Sequence, residues 1–144
     1  MADLRAEGVT AAEASDARLE LLLAEASSLI DRVTGWFFEP RQLTLHLSGR
    51  GAPSIELPVP PIRVDRILLG SVELSLDPSE LLIVGAPVQP GFDGPRFTRR
   101  HGRVFPRGHG NVVAEGLWGF TEDDGTPTGR TPPAIRRATM LLVL

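Results

Sequence analysis

Residues 15–34 leave the fewest choices open. Ser15 stands where a helix N-cap belongs, since its hydroxyl can accept from an unpaired backbone N–H. Asp16 puts negative charge in the first turn, where the helix dipole favours it. Leu19, Leu22, Leu23, Ala26, Ile30 and Val33 recur at helical spacing and make one apolar stripe. Glu20, Glu25, Asp31 and Arg32 fall mostly off that stripe, and Gly35 is placed to end the helix in a left-handed conformation. A helix striped on one side must bury the stripe against another element, so this segment demands a partner. Upstream, Asp3-Leu4-Arg5 is expected to add a short helical turn.

The chain changes character over residues 41–120. LTLHLSG sets Leu43, Leu45 and Leu47 against Thr44, His46 and Ser48, the alternation of a half-buried strand. GRGAP reads as a turn, and SIELPVPP keeps Ile55, Leu57 and Val59 in phase. Pro58, Pro60 and Pro61 cannot donate to a central ladder, which predicts an edge strand that stops there. IRVDRILLG and SVELSL predict a hairpin around Gly70-Ser71, and ELLIVG another short strand. GAPVQPGFDGP, residues 85–95, is a loop by its Gly and Pro content. RFTRRHGRVF and NVVAEGLWGF predict two strands joined as a hairpin by PRGHG. After a polar linker over 121–131, Pro132-Pro133 open a final helix over 132–144, with proline tolerated in the first turn. The expected fold class is α+β, in one domain spanning 1–144.

Composition narrows the function. With 42% hydrophobic and 23% charged residues the chain is globular. A net charge of −3 gives no global nucleic-acid signature. All 15 basic residues are arginine, which fits a GC-rich genome and also suits planar, bidentate contacts. The lack of cysteine rules out disulfides and thiolate metal sites. MADLRAEGVT has no apolar core, so it does not read as a signal peptide, and no apolar run approaches a membrane span. A soluble protein of the cytoplasm in which it is made is expected, with no membrane partner.

No catalytic constellation stands out. His46, His101 and His109 lack a carboxylate or a helical spacing that would join them at a metal, and they read as surface histidines. Gly108-His109-Gly110 lacks the lysine and following helix of a phosphate loop, so it reads as a turn. No serine sits in a Gly-x-Ser-x-Gly elbow. The expectation is neither enzyme nor cofactor nor metal. A metal-dependent hydrolase using His101 and His109 would lose its activity when both became alanine, and no such activity is expected.

Charge and apolar surface say more. Arg96, Arg99, Arg100, Arg103 and Arg107 fall within 12 residues, with Asp93 the nearest acid upstream. Residues 1–34 carry seven acids against three arginines, so the chain is polarised. The basic run reads either as a solvated face or as a contact for an acidic protein or for DNA phosphate. Phe97 and Phe105 are too few for single-strand stacking. Trp36, Phe37 and Trp118 are expected to anchor the core between helix and sheet, together with Leu22, Leu23 and Ile30. Met140, Leu141, Leu142 and Leu144 make the last helix apolar on nearly every side, as if docked deeply or covered by a neighbour. Those four residues, with Arg96, Arg99, Arg100, Arg103, Arg107 and His109, are the expected interface.

Four segments together carry a resemblance: DARLELLLAEASSLIDRVTGWFFEPR, LPVPPI, VFPRGHGNVVAEGLWGFTE and TPPAIRRATMLLVL. They cover about half the chain. The most specific runs are Asp31-Arg32-x-Thr34-Gly35-x-x-Phe38-Glu39-Pro40-Arg41 and Gly110-Asn111-Val112…Gly116-x-Trp118-Gly119-Phe120. In these the chain resembles the head–tail connector (adaptor, or head-completion) proteins of long-tailed bacteriophages and gene-transfer particles. The resemblance implies N- and C-terminal helices packed together with β-strands inserted between them; the β-rich middle is longer here than in a minimal helical connector. It also implies a virion protein without catalysis or cofactor. Such proteins form a ring, usually dodecameric, beneath the portal protein, extend the DNA channel and present a surface to the stopper or tail-completion protein. Packaged double-stranded DNA would pass through without sequence-specific binding, and assembly would take place in the host bacterial cytoplasm. The Pro- and Gly-rich strands leave one alternative, a β-rich ligand- or protein-binding module of a phage tail or cell surface.

Overall fold

Short strands cannot bury both faces alone, and this chain resolves the problem by stacking two antiparallel sheets and setting helices at both ends of the sequence. The computed structural model describes residues 2–6, 8, 10, 15–85 and 93–144. Its elements are α1 (Ala2–Ala6), α2 (Asp16–Thr34), β1 (Arg41–Leu47), β2 (Ser54–Glu56), β3 (Pro61–Leu69), β4 (Val72–Glu73), β5 (Leu81–Val84), β6 (Arg96–Arg99), β7 (Val112–Trp118) and α3 (Pro133–Val143). One sheet has the order β1-β7-β3-β4 and the other β2-β6-β5. The fold is mixed α+β. Most of the loop expected over 85–95, residues 86–92, lies outside the described residues.

Local chemistry explains the helix ends. The Ser15 hydroxyl accepts from the Arg18 amide, and Gly35 closes α2 at φ 74° with its amide donating to the Asp31 carbonyl. The Thr34 hydroxyl donates to the Ile30 carbonyl at 2.8 Å and accepts from the Trp36 amide at 3.3 Å, which fixes the exit of the chain. On α2, Leu19 and Ala26 are buried and Leu22, Leu23 and Ile30 half-buried, so part of the expected stripe is covered. α2 and α3 pack against each other. Leu4 of the short α1 is also buried, and Arg5 pairs with Asp16.

The core lies between the two sheets. β7 alternates strictly: Val112, Ala114, Gly116 and Trp118 face inward, while Val113, Glu115 and Leu117 face out. Ile67 of β3 joins these residues from the first sheet, and Ile55, Leu81 and Phe97 meet them from the second. Phe97 and Trp118 touch across the gap at 6.3 Å between ring centres. Burial of each aromatic contributes on the order of 3 kcal/mol. The indole N–H donates to the Leu43 carbonyl at 3.0 Å, so Trp118 hides no unpaired donor. Leu45 and Leu47 of β1 pack on the same core in the predicted phase. The Gly70-Ser71 hairpin forms between β3 and β4, and β2 is an edge strand ending before Pro58.

The hairpin predicted for residues 96–120 does not form. β6 belongs to the second sheet and β7 to the first. The reason is that β7 is central: β1 occupies one of its edges and β3 the other, leaving no ladder free for β6. The chain instead reverses at His101 (φ 58°) and Gly102, buries Phe105 completely, and bridges Phe105 to Ala52. The Pro-Arg-Gly-His-Gly segment then lies as a strap along residues 48–51. Asn111 clamps it, accepting from the Gly49 amide and donating to the Pro106 carbonyl, each at 2.9 Å. The Asn111 carbonyl accepts from the Gly70 amide at 2.9 Å, so one residue ties three loops together.

Close backbone approach explains two glycines. A Cβ at Gly116 would lie 2.2 Å from the Arg63 carbonyl oxygen, where β3 bulges against β7. At Gly49 it would lie 2.0 Å from the Pro106 carbonyl oxygen. Asn111→Ala is expected to destabilise the fold by about 2 kcal/mol and lower Tm by roughly 5 °C, because it orphans two loop groups. Gly116→Ala should cost at least as much, since β3 must move to admit the methyl group. Thermal denaturation followed by circular dichroism checks both.

Candidate functional site

Strands β1, β3 and β7 run between two ends of the molecule, with the ion pairs Arg63–Asp65 and Arg66–Glu115 exposed along them. At one end lie the loops 48–53, 70–71, 77–80 and 100–111. At the other lie α2, α3, the segment 36–40 and the loop 119–131.

The loop end is basic. It collects Arg50, Arg99, Arg100, Arg103 and Arg107 with His101 and His109, against the carboxylates of Asp77 and Glu80, with Glu73 and Glu56 at its margins. These arginines differ in what holds them. Arg99 donates to the Val104 carbonyl at 2.7 Å, with its guanidinium 5.9 Å from the Phe105 ring centre. Arg103 pairs with Glu80 at 2.8 Å. Farther down β6, Arg96 pairs with Asp93 at 2.5 Å. Arg99, Arg103 and Arg96 therefore brace the structure. Arg100 and Arg107 are exposed and make no side-chain bond to any described residue, and the same holds for Arg50. Arg50, Arg107 and His109 line one open groove of about 510 Å³. Arg50 escaped the sequence reading because it stands 46 positions before Arg96 on a different loop, in what looked like an ordinary Gly-Arg-Gly turn.

The histidines serve the loops. His101 Nε2 lies 2.9 Å from the Ser79 carbonyl oxygen, and His109 Nδ1 lies 3.4 Å from the Ser48 hydroxyl. Asp77 accepts from the Ser79 side chain and amide, which holds its carboxyl below the usual range. Among the described residues no three His, Asp or Glu side chains gather as a metal site.

The helical end is held by one arginine. Arg41 bonds Asp31 at 2.7 Å and Glu39 at 2.8 Å, and its guanidinium lies 4.3 Å from the Phe37 ring centre. Burial pushes its pKa down, but the bonds to Asp31 and Glu39 outweigh this and leave it raised. Phe120 packs against Trp36 and Phe38 at 5.9 and 6.0 Å between ring centres, and Thr131 donates to the Phe38 carbonyl at 2.8 Å. Of the expected anchors, Trp118 is wholly buried and Phe37 packs on the core. Trp36 is half-buried, and Leu22, Leu23 and Ile30 lie on α2 outside the sandwich core.

This end leaves apolar surface open. Leu141 is 66%, Leu142 54% and Leu144 64% exposed, while Met140 is half-buried. Leu142 lies two turns beyond Ile135 on the same side of α3, yet α2 does not cover it. On α2 itself, Leu21, Leu29 and Val33 are exposed at 60, 46 and 77%. Single exposed leucines are ordinary; this many on two packed helices is more apolar surface than scattered single residues supply. Among the described residues no helix is long and apolar enough to cross a membrane.

No protein-family model matches this chain, and neither does any curated protein. A solved structure does match: a chain from the "Neck of empty GTA particle computed with C6 symmetry". The similarity covers 99% of this chain and 73% of that one, at a TM-score of 0.66 and 21% sequence identity. The protein thus shares its fold with a chain of a particle neck.

The two sets of arginines should separate by stability. Arg99→Ser with Arg103→Ser is expected to cost about 1–2 kcal/mol, through a lost carbonyl bond and an exposed ion pair. Arg100→Ser with Arg107→Ser should leave the folding free energy within about 0.5 kcal/mol of the parent. Urea denaturation of the two double variants checks the difference.

Proposed function

We propose that this chain is a structural subunit of the neck of a phage-like particle. In this reading it forms the adaptor ring between the portal protein and the stopper or tail-completion protein. The ring extends the channel through which double-stranded DNA passes. It acts without catalysis or cofactor and is assembled in the host bacterial cytoplasm before joining the virion.

The observation that carries the reading is the fold shared, over nearly the whole chain, with a chain of a GTA particle neck. The sequence resemblance to head–tail connectors supports it independently. The two runs that carry that resemblance turn out to be architectural. Asp31, Thr34, Gly35, Phe38, Glu39 and Arg41 build the helix exit and its ion cluster. Asn111, Gly116, Trp118 and Phe120 fix the strap, the bulge and the junction of sandwich and helices. Residues that set geometry rather than chemistry suit a protein whose product is an assembly.

A ring subunit must also bury heterologous surfaces on two sides. The open face of α2 and α3 supplies apolar area for such contacts. The six-fold symmetry of the related neck is compatible with twelve copies, since a twelve-membered ring contains that symmetry.

Deleting the gene is expected to give DNA-filled heads and free tails that do not join, with the protein absent from any neck. Electron microscopy of particles that join normally without it would overturn the reading. Leu141→Ser with Leu144→Ser should leave the isolated chain as stable as the parent, because both side chains are exposed. The same variant should be depleted at least tenfold from purified particles, measured by quantitative mass spectrometry.

A further inference from the structure

Three arginines of the basic loop end have no bond to make in the fold. Arg50, Arg100 and Arg107 are exposed, make no side-chain bond to any described residue, and sit on loops that are pinned from several sides. Asn111 clamps the strap to Gly49 and Pro106, the Gly110 amide donates to Ser48 Oγ at 3.0 Å, and the Arg100 amide donates to the Glu80 carbonyl at 2.9 Å. Of the acids around these loops, Glu80 is engaged by Arg103 and Asp77 by Ser79, while Glu56 lines a pocket beside Arg50 and Glu73 one beside Arg99 and Arg103, neither bonded to Arg50, Arg100 or Arg107. Arg50 and Arg107 thus share one groove and Arg100 stands on a neighbouring pinned turn, three guanidinium groups without a bonded acid on loops whose backbone is already ordered.

Three partner classes could answer such a surface, and the surrounding residues choose among them. An acidic protein would ordinarily be held by a buried aromatic or aliphatic anchor at the centre of the contact. Here the aromatic, Phe105, is completely buried, and the exposed large apolar side chains nearby are Val72 and Val104, at 63 and 38%. Single-stranded nucleic acid would need exposed Phe, Tyr or Trp rings to stack its bases, and among the described residues this end exposes no such ring, only the imidazoles of His101 and His109, each bonded or close to a loop oxygen. Duplex phosphate needs neither anchor nor ring. It needs guanidinium groups spread over an open surface, and the groove of about 510 Å³ between Arg50, Arg107 and His109 is such a surface.

We propose that Arg50, Arg100 and Arg107 form a contact site for the phosphate backbone of double-stranded DNA, independent of base sequence. This rests on the neck-ring reading, in which duplex passes through the assembly. The contact is weak per copy because the whole chain carries a net charge of −3 and the positive end is local. Repeated around a ring, it places several weak contacts around one duplex, which centres the DNA without gripping it.

The test uses the purified full chain and a fluorescein-labelled 30-base-pair duplex in anisotropy titrations from 25 to 150 mM salt. Binding is expected at 25 mM salt, with log K falling against log salt at a slope of about −2 to −3 and equally for two unrelated sequences. Arg50→Ser, Arg100→Ser and Arg107→Ser together should weaken binding at least tenfold and flatten the slope. Arg32→Ser with Arg137→Ser, on the helical end, should leave both unchanged. Absence of duplex binding at 25 mM salt overturns the proposal. So does equal loss in the helical-end variant, or competition by polyglutamate at the same charge concentration as strong as by unlabelled duplex. Particle electron microscopy separates the two readings. Necks that contain the protein, from a chain that fails to bind duplex, overturn the DNA contact alone. Duplex binding by a chain that never appears in necks overturns the ring.

Discussion

Everything in this structure depends on the side chain of Trp118. It closes the sandwich core against Phe97, and its N–H is satisfied by β1. It is also the last residue of the central strand. The chain passes from it through Gly119 to Phe120, whose amide donates to the Phe37 carbonyl and whose ring meets Trp36 and Phe38. The sandwich and the helical end are therefore not two bodies joined by a linker. They share two aromatic groups, Phe97 with Trp118 and Trp36 and Phe38 with Phe120, joined through the backbone at Gly119. The ion cluster of Arg41 with Asp31 and Glu39 reinforces the same junction from the surface.

How much of this was legible beforehand depends on which interactions are local. α2, with Ser15 and Gly35 at its ends, was readable because its caps, stripe and stop lie within one stretch of chain. The Gly70-Ser71 hairpin and the edge position of Ser54–Glu56 were readable for the same reason. The 96–120 region was not. Two adjacent strands with a Gly-rich link usually pair, and nothing local reveals that both edges of β7 are already taken by β1 and β3. Sheet membership is a property of the whole chain. The same limit hid Arg50, which becomes Arg107's neighbour only after the strap has docked on residues 48–51.

The arginine run shows how structure subdivides a compositional signal. In sequence, five arginines within 12 residues look like one charged patch. In the fold, Arg96, Arg99 and Arg103 are spent on an acid, a carbonyl and a second acid. What is left is a smaller set, assembled from separate loops. The apolar C-terminus shows another relation: its clustering left deep docking and cover by a neighbour both open, and in the fold Leu141, Leu142 and Leu144 are exposed rather than docked.

The position of β7 has a mechanical consequence. It starts at the basic loops, ends at the helical junction, and is bonded along its length to β1 on one side and β3 on the other. Hydrogen bonds in antiparallel ladders lie perpendicular to the strands. A pull between the two ends of the molecule therefore loads both ladders in shear, with all their bonds resisting together rather than peeling one at a time. The strap held by Asn111 adds a brace at the point where such a load would enter. A pull applied to β7 between these two ends is thus met by both of its ladders at once.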